Sequence, residues 1–173
     1  MRPYLLLTLI LLLSLSSCQS YFNDLRIGVE CPPISVPDVD GKEVALAEIK
    51  GKIVLVYFWA SWCAPCREGH PTLKQIYELY KEEVFRNAPN GFEIYAVSLD
   101  QEKDKWLNAI QKDGLPWSPQ LCDLKGMDSD ISDTFQFKKV PTSYLVNGEG
   151  VIIGENLSYQ QLTYALRRQL AEN

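Results

Sequence analysis

Apolar positions change their spacing along the chain, and each change marks an element. Leu5 to Leu15 (LLLTLILLLSL) is an apolar run with neither a strand nor an amphipathic-helix period. From about residue 31 the pattern alternates between strands and helices. Cys31 to Asp38, the Asp40-Gly41 turn signal and Val44 to Leu46 predict an irregular hairpin. Lys52 to Phe58 (KIVLVYF) is apolar on both faces, as a strand covered on both sides must be. Ala64 to about Phe85 predicts a helix with Leu73, Ile76, Tyr77, Tyr80 and Val84 on its inner face and a kink at Pro71. Phe92 to Ser98 predicts a second buried strand. Asp100 is placed to cap the next helix, which carries Trp106, Leu107 and Ile110 on one face.

Pro116 to Pro119 break the chain, and a short helix follows from about Asp130 to Phe135. Thr142 to Val146 and Val151 to Ile153 flank Asn147-Gly-Glu-Gly150, a hairpin signal. The last helix starts at Ser158, where Gln161 completes a capping box, and Leu162, Leu166 and Leu170 form its stripe. This order predicts an α/β domain with a central mixed β-sheet, flanking helices and an N-terminal β-hairpin.

Composition narrows the function. The 173 residues are 46% hydrophobic and 23% charged, which suits one ordinary domain rather than a disordered or multi-domain chain. The formal charge of −5 and pI of about 4.9 disfavour nucleic acid as a partner. Five cysteines are too few for a disulfide-dense mini-protein. With a single His they cannot form a row of zinc fingers.

Residues 1–17 read as an export signal: Arg2, then the apolar run, then small residues. The run is short for a membrane span, which needs about 20 apolar residues. Leu15-Ser-Ser-Cys18 resembles the bacterial lipobox, which implies lipidation of Cys18. A plain secretory signal and an uncleaved anchor are the alternatives. Residues 18–30 then form the lipidated Cys and its tether, and residues 31–173 the domain. Gln19 after the Cys, by the same resemblance, favours the outer over the inner membrane.

Trp62-Cys63-Ala64-Pro65-Cys66 follows the first buried strand and opens a helix. Free N–H groups and the macrodipole at a helix start favour negative charge. They lower the pKa of Cys63 and make it the nucleophile. A thiol at pKa about 8.5 is about 3% ionised at pH 7, and one at pKa about 7 is about 50% ionised. The lower basicity takes back much of that gain, so the helix acts mainly on which redox state is stable. Cys66, expected to be the more buried, resolves the mixed disulfide. A zinc knuckle needs two more ligands, and Cys31, Cys122 and His70 are isolated. Haem attachment needs His where Arg67 stands. A structural disulfide across two residues gains little loop entropy.

Phe58-Trp-Ala-Ser-Trp-Cys-Ala-Pro-Cys-Arg67 resembles the active-site stretch of the thioredoxin superfamily, and most of all its membrane-tethered TlpA/ResA-like thiol–disulfide oxidoreductases. Gly51-Lys52, Val97-Ser-Leu-Asp100 and Val140-Pro-Thr142 fit the same pattern over about residues 28–172. The resemblance implies a thioredoxin-like fold and Cys63 and Cys66 as catalytic residues. It implies a cis Pro141 facing them and substrate contacts at Trp62, Ala64, Pro65, Val140 and Pro141. It also implies disulfide-containing protein substrates, a membrane thiol donor of DsbD or CcdA type, and a monomer that uses neither cofactor nor metal. Two positions depart from the pattern. Tyr57 stands where many relatives carry an acid, and Gly69 where many carry Glu, with Glu68 one step earlier. The sequence names no group that takes the Cys66 proton.

Trp59 reads as core, and Trp62 as bordering the substrate groove. His70 reads first as a surface residue ahead of Pro71, and alternatively as a modulator of the dithiol. Cys31 and Cys122 read as buried or half-buried thiols. Two other functions compete. A peroxidase of the peroxiredoxin-like branch needs Thr where Ala60 stands, and a non-catalytic binding module has no use for the intact pair.

Overall fold

The computed structural model describes residues 27–171. The export signal, Cys18 and the first part of the tether lie outside the described residues. Two apolar strands form the centre. β3 (Ile53–Trp59) and β4 (Phe92–Ser98) are buried at every position and pair in parallel, Ile53 opposite Phe92 and Trp59 opposite Ser98. Side chains alternate across a strand, so β3 feeds two cores. Leu55, Tyr57 and Trp59 face one, and Val54, Val56 and Phe58 face the other.

The remaining strands complete a five-stranded sheet in the order β5-β4-β3-β6-β7. β6 (Thr142–Val146) runs antiparallel to β3, and β7 (Ile152–Glu155) antiparallel to β6. β5 (Gln120–Cys122) adds parallel to β4, a strand the Pro116–Pro119 break conceals in the sequence. β1 (Ser35–Pro37) and β2 (Glu43–Ala45) form the separate N-terminal hairpin. The hairpin is held over the sheet by the Tyr95 hydroxyl, which donates to the Val44 carbonyl at 2.6 Å. The expected α/β class with a central mixed sheet is what the chain adopts.

Among the described residues four α-helices flank the sheet: α1 (Ala64–Tyr80), α2 (Lys103–Asp113), α3 (Asp130–Thr134) and α4 (Tyr159–Gln169). α4 carries the expected capping box between Ser158 and Gln161. α1 runs through Pro71 and ends at Tyr80, short of the expected Phe85. Phe85 is drawn into the core beside Tyr80, with ring centres 6.4 Å apart, which takes the chain out of helix and leaves Val84 exposed. Leu107 is likewise exposed; α2 buries Trp106 as expected, with Ala109 beside it and Ile110 packed against the core.

The domain begins earlier than residue 31. The Gly28 N–H donates to the Ile152 carbonyl at 2.8 Å, and Glu30 bridges to Val151. The last tether residues therefore lie along the β6–β7 hairpin.

Candidate active site

Parallel strands β3 and β4 end at the same edge of the sheet, where loops of such folds gather functional groups. The chain leaves β3 through Ala60 and Ser61 and enters α1 with Cys63 as its N-cap residue. Cys63 and Cys66 are disulfide-bonded, with Cα atoms 5.3 Å apart. Within the pair the Cys66 backbone N–H donates to Cys63 Sγ at 3.2 Å. A helix-start N–H is thus aimed at the first sulfur, the placement that stabilises a thiolate there once the bond is reduced. Pro65 sits in the first turn, where its missing N–H costs the helix nothing.

Both cysteines are buried, Cys66 at 1% exposure and Cys63 at 4%. The surrounding surface is open: Trp62 is 61% exposed, and Ala64, Pro65 and Pro141 are exposed, with Val140 half-buried. The Val140–Pro141 peptide is cis. Thr142 pairs with Phe58, so Pro141 falls beside the end of β3 from which the dithiol loop springs.

Asp100 does not cap α2. Glu102 holds the N-cap position, and its side chain makes no capping bond to the helix start. The Asp100 carboxylate turns toward the dithiol loop and accepts from the Ser61 N–H at 2.9 Å, the Ser61 hydroxyl at 2.6 Å and the Ser98 hydroxyl at 2.6 Å. It is buried, and it fixes the approach to Cys63 from the neighbouring strand.

His70 is not a surface residue. It is 1% exposed, on the stripe Cys66, Gly69, His70, Leu73, Ile76, Tyr77 and Tyr80 that α1 turns toward the sheet. Its Nδ1 lies 2.8 Å from Asp113 Oδ2 at the end of α2. Arg67 donates to the same carboxylate through both Nε and a terminal nitrogen. The Arg67 bonds hold Asp113 below the usual carboxylate range, whereas burial pushes the His70 imidazole down despite Asp113.

Gly69 has a specific neighbour. A Cβ there would lie 1.7 Å from the Tyr159 hydroxyl oxygen, so a phenol from α4 occupies the space a side chain at 69 would fill. Burial, together with Tyr159 and Asp113, also pushes the Tyr57 phenol upward, and it stays protonated. Cys31 and Cys122 are both free thiols. Burial pushes Cys31 up to about 12 and raises Cys122 as well, so neither is an activated nucleophile.

Sequence comparison gives the setting for this geometry. The model of the AhpC/TSA family matches residues 27–154. The chain belongs to the AhpC/TSA family. Within the family its similarity is to thiol–disulfide oxidoreductases. It is 33% identical over 165 residues to the thiol–disulfide oxidoreductase ResA of Bacillus thuringiensis (strain Al Hakam), covering 90% of this chain and 89% of that one. It is 35% identical over 113 residues to tryparedoxin of Trypanosoma brucei brucei, covering 65% and 73%. The thioredoxin domain of a thiol–disulfide oxidoreductase from Bacteroides vulgatus superposes with a TM-score of 0.74 at 31% identity, covering 85% of this chain and 99% of that one. A thiol–disulfide oxidoreductase from Bacteroides fragilis gives 0.73 at 30% identity, covering 82% and 100%. This AhpC/TSA member is a thiol–disulfide oxidoreductase of the ResA/TlpA type, with Cys63 and Cys66 as its pair.

Proposed function

We propose that the chain is an exported, lipid-anchored reductant of protein disulfides. The observation that carries the chemistry is the Cys66 N–H aimed at Cys63 Sγ at the start of α1. The Cys63 thiolate attacks one sulfur of a substrate disulfide, forms a mixed disulfide and releases the other substrate sulfur as a thiolate. Cys66 then attacks Cys63 Sγ, the second substrate thiol leaves, and the protein is left oxidised as Cys63–Cys66. Two electrons pass to the substrate.

Exposed Trp62, Ala64, Pro65 and Pro141 form the platform for an extended substrate segment. The Val140 backbone is placed to pair with that segment as an added strand. Reduction in an oxidising compartment needs a supply of electrons, which a membrane thiol donor of DsbD or CcdA type provides. Targets of the cytochrome c maturation kind, or periplasmic thiols generally, follow from the resemblance to ResA-like proteins.

Anchoring rests on Leu15-Ser-Ser-Cys18. Gly28 is docked on the domain, and a chain running from Cys18 to Gly28 can span at most about 35 Å. Several acyl chains, at about 0.8 kcal/mol per buried CH₂, hold such a protein firmly on a bilayer. Gln19 favours the outer membrane, with the domain facing the periplasm. A peroxide-reducing centre finds less support, because buried Ala60 stands where that chemistry requires a Thr hydroxyl.

Insulin reduction by the purified protein, with hydrogen peroxide consumption measured alongside, separates reductase from peroxidase. A redox titration of Cys63/Cys66 fixes the direction: a potential near about −120 mV, that of a strong oxidant, overturns the reductant reading. Palmitate labelling of the wild type, lost in Cys18→Ala, tests the anchor.

A further inference from the structure

Dithiol exchange needs a base for the second cysteine, and a buried imidazole one turn along the same helix face has an unused nitrogen. His70 follows Cys66 by four residues, so the two side chains leave the same face of α1 one turn apart. Each is 1% exposed. The Asp113 carboxylate, 2.8 Å from Nδ1, is an acceptor and so sets the tautomer: the proton sits on Nδ1 and the lone pair on Nε2. Nε2 is buried and, like the indole N–H groups of Trp59 and Trp117, has no hydrogen-bond partner among the described residues. The rings of Trp59, Trp117 and Tyr57 stand around the imidazole, with centres 5.0, 6.0 and 6.1 Å away.

Buried polar atoms are normally paired. In the oxidised state Cys66 Sγ carries no proton while bonded to Cys63 and so offers this lone pair no donor. Reduction creates the missing donor.

We propose that His70, held by Asp113, is the base that takes the proton of Cys66. When Cys66 attacks, its S–H proton passes to Nε2 and its sulfur forms a bond to Cys63 Sγ. The bond from Cys63 to the substrate sulfur breaks, and that sulfur leaves as a thiolate. The imidazolium then gives its proton to the departing thiolate. No further reactant is needed, and running the steps backward serves oxidation equally, so the inference rests on dithiol exchange and not on the direction of electron flow.

The charges around the ring suit a transient imidazolium. Asp113, from the end of α2, stabilises it, and Arg67 and Lys74 on α1 keep its life short. Tyr57 on β3 and Tyr159 from α4 remain neutral phenols. Burial keeps the resting ring neutral at pH 7, as a base must be.

Two measurements test this. His70 is the chain's single His, so its imidazole signal is unambiguous in proton NMR. Its midpoint is expected to differ by roughly half a pH unit or more between the oxidised and reduced wild type, since coupled groups titrate together. His70→Asn keeps a donor for Asp113 but removes the base. The variant is expected to form the mixed disulfide at the wild-type rate and to resolve it ~100-fold more slowly at pH 7, with the deficit closing as pH rises. The proposal is overturned if the imidazole titrates identically in both redox states. It is equally overturned if His70→Asn resolves at the wild-type rate, or if formation and resolution slow together by one factor, which marks a structural role. Failure of the wild type to form any mixed disulfide would strike the exchange chemistry itself.

Discussion

Two strand-to-helix junctions lie side by side at one edge of the sheet, and they divide the work. At the β3–α1 junction a cysteine takes the N-cap position and receives a backbone N–H on its sulfur. At the β4–α2 junction Asp100, the residue the sequence offers as a cap, gives its carboxylate to the neighbouring loop, and Glu102 takes the N-cap position without a side-chain capping bond. The second junction leaves its own helix end unsatisfied by side chains in order to fix the first. Parallel pairing makes this possible, because Trp59 and Ser98 are partners and the two loops leave together. Chemistry at one junction thus depends on rigidity supplied by the other.

That division is breakable in either direction. Cys63→Ser is expected to lower insulin reduction by at least ~100-fold, while urea unfolding of the reduced protein shifts by less than about 0.5 kcal/mol. Asp100→Ala should act first on stability, and on activity only through the loosened Cys63 loop. It strands two hydroxyls and one N–H in a buried site, and urea unfolding should register a loss of about 3 kcal/mol. Equal loss of stability in the two variants would erase the distinction.

A smaller effect separates the two ends of the His70–Asp113 pair. Burial lowers the proton affinity of His70 in the folded state, so the unfolded chain binds more protons below about pH 6.5. Stability is therefore complete above that pH and falls as the solution is acidified through the window beneath it. Asp113, itself held low by Arg67, acts only further down, below about pH 4. Denaturant titrations between about pH 7 and pH 5 are expected to show the slope in the wild type and to lack it in His70→Asn.

The smallest effect lies at the helix face behind the dithiol. Gly→Ala inside a helix ordinarily stabilises by about 1 kcal/mol. Here Gly69→Ala must expel the Tyr159 hydroxyl, and the gain is expected to cancel to within about 1 kcal/mol. Adding Tyr159→Phe should restore part of the gain. Thermal melts of the three proteins check the order.

The continuous apolar runs made β3 and β4 legible, because only a strand covered on both sides tolerates such sequences. The capping box at Ser158 and the hairpin turn at Asn147 were equally plain. Three features were not. β5 is three residues long, and its only local signal is the proline-rich break before it. Asp100 carries the residue type and position of a cap, and only the neighbouring loop, brought close by parallel pairing, redirects it. His70 had a signal that was outweighed: it continues the stripe through Leu73 and Tyr77 at spacings of three and four. Polarity argued for the surface, and the partner that makes burial tolerable, Asp113, is 43 residues away along the chain. Long-range polar pairing of this kind leaves no periodic trace.

The tryptophans carry a practical consequence. Trp59, Trp106 and Trp117 are shut away at 2% exposure or less, and Trp62 alone of the four reaches solvent, directly beside Cys63. The molecule is therefore built with its own optical reporter. Iodide in solution can quench one indole and no other, and a polypeptide settling over the dithiol shields that indole. Docking can be followed by light emission without any dye.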